Sequence, residues 1–253
     1  MRRGTWTLLV VGVVVLLAPL AAPYAPDAID LANRRAGPSL AHWFGTDDLG
    51  RDAFSRALYG GRVSVAIGLL SAAVAVAIGV TAGALAAYGG GWIDTVLMRV
   101  TDALLAMPRL LLLMVAAATL QPTIPALVVL VGAVGWMETA RVTRSAVRGL
   151  LGAEFVAAAR ALGAGHVRLL TRHLLANAAG AIRTAAVLAV ARAVLVESAL
   201  SFFGVGVQPP DASWGSMLYQ AQSAMATEPW LALFPGACIV CTVGGLTAAA
   251  DRA

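Results

Sequence analysis

Few residues in this chain of 253 have the types and spacing needed for covalent chemistry. All 18 basic residues are Arg, so the lysine of a phosphate-binding G-x-x-x-x-G-K-[ST] loop is missing. None of the three histidines lies in an H-E-x-x-H motif, which leaves zinc hydrolysis without support. Cys238 and Cys241 lie in an apolar run, where free cysteines commonly pack as small hydrophobic residues. We predict no catalytic residue, no metal site and no bound cofactor.

One acidic residue, Glu197, lies inside a long apolar stretch, and Arg192 precedes it by five positions. Ionisable side chains within a membrane are costly and are functional-site candidates by default. Two interpretations stay open for these residues. They form a structural ion pair, or they line a translocation path or its gate together with Ser198 and Ser201.

The elements that must position these residues are membrane helices. The chain is 60% hydrophobic and 12% charged, which is typical of a polytopic membrane protein. A hydrocarbon core of about 30 Å needs about 20 apolar residues as a helix. An all-α fold with six transmembrane helices is therefore predicted, with spans at 6–22, 63–88, 103–120, 123–140, 180–203 and 230–249. Small residues at Gly79 and Gly83 allow close helix packing.

The sequence divides at the second span. Residues 1–62 are predicted to hold an uncleaved first anchor and an external loop with an amphipathic segment. Residues 63–253 are predicted to form the core, with five spans and a cytoplasmic loop at about 141–178. The segment 141–183 contains seven Arg and one acidic residue, so the positive-inside rule makes it cytoplasmic, along with both termini. The charge serves topology rather than nucleic acid, since no basic face is interleaved with aromatic residues.

A short basic helical hairpin is predicted between the fourth and fifth spans. The apolar positions of its first helix recur at helical spacing, at Phe155, Ala158, Ala159 and Leu162. Gly163 ends that helix, and a second short helix is predicted to place Val167, Leu170 and Leu174 on one face. Its polar side holds Arg168 and Arg172. Spacing alone leaves open a docking surface for a cytoplasmic partner and an amphipathic hairpin on anionic lipid.

The hairpin resembles the cytoplasmic coupling loop, or EAA loop, of ATP-binding-cassette importer permeases. Ala158, Ala159 and Gly163 match the family pattern, whereas Ala157 stands in place of its Glu and Ala176 in place of its Pro. The stretch is most similar to the oligopeptide branch. The resemblance implies contact with an ATPase through Glu154, Ala158, Ala159, Arg160, Gly163, Arg168 and Arg172.

A second segment precedes the predicted second span. Thr46 is predicted to cap a short helix with Asp47 and Asp48 in its first turn, and spacing alone favours an interfacial helix. The string resembles the signature of the C-type subunit of dipeptide, oligopeptide and nickel permeases, which the B-type partner lacks. The matching residues include Asp47, Asp48, Gly50, Arg51 and Asp52.

A third segment, from Glu197 through Gly206 to Gly215, is similar to the same branch. Two features depart from it: Arg192 is not expected there, and the stretch after the sixth span is short or diverged. The resemblance implies a type I importer permease that forms half of a translocation path for peptides. It also implies a B-type permease, two ATPase subunits or one fused ATPase that bind ATP and Mg, and an external solute-binding protein.

The resemblance further implies a location in the inner (plasma) membrane, in contact with lipid. Nickel, haem or another small solute are alternative substrates. A self-sufficient secondary transporter is the competing class, but it needs carboxylates near the membrane midplane, and only Glu197 is expected to qualify. An intramembrane enzyme would need a nucleophile and a base, and no His lies within a predicted span.

Overall fold

The computed structural model describes residue 12 and residues 17–251. This part of the chain is helical, and its β-structure is one isolated bridge between Thr46 and Asp52. Helices of eight or more residues are α1 (Ala53–Gly89), α2 (Gly91–Ala106), α3 (Arg109–Leu120), α4 (Ile124–Leu150), α5 (Glu154–Ala161), α6 (Ala179–Phe202), α7 (Trp214–Ala221) and α8 (Trp230–Ala250). Shorter helical turns lie at Ala18–Ala21, Leu31–Asn33, His166–Arg168, Leu175–Asn177 and Gln222–Ala224, with a π-helical turn at Leu169–Leu174.

Four helices, α1, α4, α6 and α8, are long and apolar enough to cross a membrane, and α2 with α3 makes a fifth span if the bent pair is counted as one. The all-α membrane fold is thereby confirmed. Four predicted spans coincide with these four helices, although α4 continues past Ala140 to Leu150. The predicted first span, at 6–22, lies mostly outside the described residues. The predicted division between residues 62 and 63 falls inside α1.

The predicted third span at 103–120 is not one continuous helix. Helix α2 ends at Ala106, α3 begins at Arg109, and their axes differ by 80°. Pro108 explains the break, because proline lacks a backbone N–H and disfavours helical geometry in the residue before it. Met107 is accordingly extended, with ψ of 142°. The bend places Arg109 at the start of the second half of the pair.

The core lies where α1, α3, α4 and α6 meet. Ile67, Leu113, Leu127 and Leu200 are buried there in one apolar cluster. Helix α1 approaches α4 closely along its small residues. A Cβ atom at Gly79 would lie 2.6 Å from the carbonyl oxygen of Trp136 in α4, so only glycine fits this contact.

Candidate functional site

The predicted hairpin turns at Gly163. Helix α5 ends at Ala161, and Gly163 follows with φ of +79°, a left-handed conformation that side chains rarely adopt. The turn is closed by two backbone hydrogen bonds: Gly163 N–H donates to Arg160 at 2.9 Å, and Ala164 N–H donates to Ala159 at 3.0 Å. Apart from its two chain neighbours, no described residue has an atom within 4 Å of the position that a Cβ of Gly163 would take. Backbone conformation alone therefore favours glycine here.

The first helix of the hairpin has two apolar sides. Val156 and Ala159 are buried against Val147 of α4 and the returning segment. Leu162 is 89% exposed, and Phe155 and Ala158 are also exposed. The prediction that Ala159 shares one face with Phe155, Ala158 and Leu162 is therefore wrong. Ala159 packs against its own chain, whereas the other three form an outward stripe.

The returning segment also differs from its prediction. The expected face of Val167, Leu170 and Leu174 does not form, because residues 169–174 make a π-helical turn. In a π-helix residues five apart are hydrogen-bonded neighbours, so Leu169 and Leu174 are the pair that is buried. Val167 is 76% exposed. Glu154, Ala158, Arg160, Gly163, Arg168 and Arg172 all lie exposed on the hairpin.

Polar contacts fix the membrane helices near the hairpin. The Tyr88 hydroxyl at the end of α1 is hydrogen-bonded to Nδ1 of His166. Asp94 of α2 binds both Arg144 and Arg148 of α4, with Arg148 Nη1 2.6 Å from Asp94 Oδ2. Asp94 was not predicted as a functional residue, because the sequence pattern along 141–183 shows only an excess of Arg and Asp94 lies outside it. The contacts join α1, α2 and α4 at the end of the bundle that holds the hairpin.

Glu197 lies in a buried polar group, here called the serine–glutamate cluster, of Ser64, Glu197, Ser198 and Ser201. The Ser64 hydroxyl donates to Glu197 Oε2 at 2.9 Å, and the Ser201 hydroxyl donates to Oε1 at 2.8 Å. Ser198 is 3.5 Å from Oε2. Because Ser64 belongs to α1 and the others to α6, the carboxyl group joins two membrane helices.

The serine–glutamate cluster also holds the chain after α6. Trp214 N–H donates to Ser64 Oγ at 3.1 Å, and Val207 N–H donates to Ser201 Oγ at 3.0 Å. A Cβ at Gly215 would lie 2.4 Å from the Ser198 carbonyl oxygen. Serine hydroxyls thus connect α1, α6 and the start of α7 around one carboxyl group.

Arg192 does not pair with Glu197 in the structure. The Arg192 side chain forms no ion pair or hydrogen bond among the described residues. Side chains five positions apart on an α-helix differ in direction by about 140°, so a direct contact is not expected on a straight helix. Of the two interpretations left open by the sequence, the structural pair is not formed.

Substitutions at Glu197 and Arg192 are expected to act independently. Glu197→Leu should destabilise the assembled complex, since each buried hydroxyl left without its acceptor costs about 1–3 kcal/mol. Glu197→Gln should cost less, because its amide oxygen still accepts. Combining Glu197→Gln with Arg192→Gln should give additive losses within about 0.5 kcal/mol. Thermal unfolding of the purified complex measures this, and a coupling above about 1 kcal/mol would contradict the separation of the two side chains.

Arg192 instead lines a cavity of about 430 Å³ between α1, α3, α4 and α6. Most of the wall is apolar, and its polar side chains are Ser71, Arg109 and Arg192. Arg109 Nη2 lies 2.6 Å from Glu138 Oε1 of α4. Glu138 is thus a second carboxyl group in a helix long and apolar enough to span the membrane, besides Glu197. The sequence already indicated these two residues as candidates for an ion pair, since both Arg109 and Glu138 fall inside predicted spans.

The segment before α1, at 46–52, folds as a turn rather than as the predicted helix. Thr46 does not cap a helix; α1 begins at Ala53, and Asp52 is its cap, with Oδ2 accepting from Ser55 N–H at 2.7 Å. Asp47 accepts from the backbone of Arg51 at 3.0 Å and from its Nε at 2.7 Å. These local hydrogen bonds compete with helix formation, which explains the turn.

The turn is packed into the end of the bundle opposite the hairpin. Gly50 has φ of +76°, and a Cβ there would lie 1.7 Å from the carbonyl oxygen of Asp30. The Asn33 amide donates to Asp30 at 2.8 Å and lowers the pKa of that carboxyl group below its usual value. Arg51 Nη2 lies 3.4 Å from Gln220 Oε1 near α7. Of the predicted signature residues, Asp47, Gly50, Arg51 and Asp52 are buried, and Asp48 is exposed.

The two cysteines lie in α8, where Cys238 is half-buried, Cys241 is exposed and both are free. Within the described residues, no group of three His, Cys, Asp or Glu side chains is placed to hold a metal ion. The described chain therefore offers two candidate functional features. One is an exposed hairpin at one end of the bundle, and the other is a positively charged cavity within the bundle.

Comparison with known proteins gives one family. Residues 79–252 match the family model described as binding-protein-dependent transport system inner membrane component. A Brucella suis biovar 1 protein named as a peptide permease is 41% identical over 231 residues, covering 90% of this chain and 76% of the relative. The oligopeptide transport system permease protein OppC of Bacillus subtilis is 36% identical over 248 residues, covering 98% and 81%. The dipeptide transport system permease protein DppC of Alkalihalophilus pseudofirmus is 36% identical over 238 residues, covering 94% and 78%.

Proposed function

Because the chain belongs to the family of inner membrane components of binding-protein-dependent transport systems, we propose that it forms half of a peptide path in an ATP-driven importer. The resemblance to ABC importer permeases of the C-type is confirmed by this membership and by the relatives named OppC and DppC. The chain is an integral membrane transport subunit. Peptide is the proposed substrate because the relatives are named for peptides, oligopeptides and dipeptides.

The observation that supports this function best is the exposed stripe of Phe155, Ala158 and Leu162 on the hairpin. A short apolar stripe beside the exposed arginines Arg160, Arg168 and Arg172 suits the groove of a partner protein with apolar and acidic walls. Buried contacts from Val156 and Ala159 fix the hairpin to α4, so a force on the stripe would move the membrane helices.

The partners follow from this assignment as proposals. A B-type permease forms the other half of the path, and an external solute-binding protein delivers the peptide. Two ATPase subunits, or one fused ATPase, bind ATP and Mg and dock on the hairpin at its cytoplasmic end. With the hairpin in the cytoplasm, both termini are cytoplasmic and the turn at 46–52 faces outward. The chain itself binds no nucleotide.

ATP-dependent uptake is expected only from the full assembly. Proteoliposomes that contain this chain, a B-type permease, the ATPases and the binding protein should accumulate labelled di- and oligopeptides when ATP is supplied. The chain alone should remain at the background of empty vesicles, because it lacks an ATP-binding loop. The measurement is uptake of labelled peptide, nickel and haem side by side. Robust uptake by the lone chain would refute the proposal. Uptake of nickel or haem without uptake of peptide would show that the substrate is not a peptide.

A further inference from the structure

We propose that the cavity lined by Arg109 and Arg192 binds the carboxylate of the transported solute, with the adjoining apolar wall holding a hydrocarbon side chain. This inference rests on the proposed transport function and names the chemical class that the path recognises. It begins from Arg192, a half-buried guanidinium in a spanning helix that has no hydrogen-bond or ion-pair partner within the described part of the chain. Arginine stays charged in proteins, so this position within a span favours an anionic ligand.

The charges around the cavity do not balance. Arg109 is paired with Glu138 at 2.6 Å, which leaves Arg192 as the uncompensated cation. Glu197 does not serve as its partner, because side chains five positions apart on α6 point about 140° apart, and the Glu197 carboxyl group instead accepts from Ser64 and Ser201. The part of the chain that the structure describes offers Arg192 no anionic partner, which makes a group from outside the chain the candidate. Guanidinium groups present paired N–H donors in a planar fork that fits a carboxylate.

The rest of the cavity wall is apolar and favours a solute with a hydrocarbon group. Leu110, Leu113, Val131, Val134 and Val196 face the cavity beside the two arginines. Its volume of about 430 Å³ lies within the range of about 300–1,000 Å³ that is usual for small-molecule sites. An apolar pocket with a few converging charges fits a solute that has one carboxylate and one or more hydrocarbon side chains.

The depth of the cavity argues against a lipid headgroup as the occupant. Arg192 lies about 20 Å along α6 from its start at Ala179 and about 15 Å from its end at Phe202, at about 1.5 Å per residue. Headgroups lie outside a hydrocarbon core of about 30 Å, so a lipid phosphate is poorly placed to reach the middle of the span. A solute moving through the bundle passes this depth.

The test compares the tripeptide Ala-Leu-Ala, bearing a free carboxylate, with its C-terminal amide in proteoliposomes of the full complex. Binding of both peptides to the solute-binding protein is measured first, and both are used at saturation. Unmodified complex should favour the free acid, and Arg192→Gln should lower uptake of the acid about tenfold while leaving uptake of the amide unchanged. Arg183→Gln, an exposed arginine at the start of the same helix, is the matched control and should keep the preference.

Other results would overturn the proposal. An equal fall for acid and amide, with loss of the B-type permease on purification, would assign the missing anion to that partner. A fall that depends on anionic lipid in the vesicles would assign it to a headgroup. If neither peptide is transported, the peptide function fails, and the site is then tested by binding of N-acetylleucine and N-acetylleucinamide to the purified complex. A preference for the carboxylate that Arg192→Gln removes supports the site; no preference in the unmodified complex refutes it.

Discussion

Replacement of Ala158 by Trp is expected to abolish substrate-stimulated ATP hydrolysis while leaving the chain inserted and assembled with its partner permease. Ala158 is exposed between Phe155 and Leu162 on the outward stripe of the hairpin. Its small side chain would allow the helix backbone to approach the floor of a partner groove. An indole there would hold the two surfaces apart, and a separation of even 1 Å forfeits much of their packing energy.

The matched control is Ala158→Ser, which keeps the side chain small. The measurements are co-purification of the ATPase and peptide-stimulated ATP hydrolysis in membranes with equal amounts of the chain. Ala158→Trp should reduce both to the level of vesicles without the permease, and Ala158→Ser should retain both. Transport at the parental rate by Ala158→Trp, with the ATPase still bound, would exclude this stripe as the docking surface. The hairpin would then be better explained as a surface for anionic lipid.

Replacement of Ala159 by Trp would instead test how the hairpin packs against α4. Ala159 is buried against Val147, Leu169 and Leu174, so a bulky residue there would displace the hairpin from α4. The sequence pattern placed both alanines on one face because an apolar helix with alanine on several sides does not reveal which side its own chain covers. Only the packing of the returning π-helical turn decides this, and its five-residue repeat is not visible as an α-helical pattern.

The long spans could be predicted from the sequence because membrane helices need continuous apolar runs of a length set by the bilayer. Positions 63–88, 123–140, 180–203 and 230–249 satisfied that requirement, and helices are found at each of them. The bend at Pro108 was not predicted, because hydropathy does not report the direction of the helix axis. The residues on both sides of the break are apolar. Proline at this position was the available signal.

The polar sites were harder to predict, because they depend on pairing across helices. Glu197 and Arg192 are close in sequence, yet Glu197 bonds to Ser64 from a distant part of the chain, and Arg192 faces a cavity. Arg109, at the bend between α2 and α3, pairs with Glu138 of α4, which lies far from it in the sequence. At the end of the bundle opposite the hairpin, Asp47 and Asp52 form local side-chain hydrogen bonds that make a turn where spacing suggested a helix. Contacts between distant parts of the chain fix the Glu197, Arg109 and Glu138 sites, whereas the turn depends on local hydrogen bonds that compete with the helical pattern.

Substitution of Gly83 by Leu is expected to prevent the chain from assembling, because α1 and α4 touch backbone to backbone at this point. A Cβ at Gly83 would lie 2.3 Å from the carbonyl oxygen of Ala140 and 2.9 Å from the Cβ of Thr143. Neither atom belongs to a flexible side chain that could move aside. The helices would have to separate, which also strains the binding of Asp94 to Arg144 at the same end of the bundle.

Overpacking of a well-packed interface costs about 1–3 kcal/mol, so the yield of assembled complex should fall by a factor of about 5 to 150. Gly149→Leu is the control, since Gly149 lies exposed in α4 and no atom of the described chain is within 4 Å of its Cβ position. Size-exclusion yield and the thermal midpoint of the purified complex are the measurements, with membrane insertion checked separately. A normal yield and midpoint for Gly83→Leu would contradict the close approach of α1 and α4. A matching loss for Gly149→Leu would instead assign the effect to added bulk at any helical glycine of this bundle.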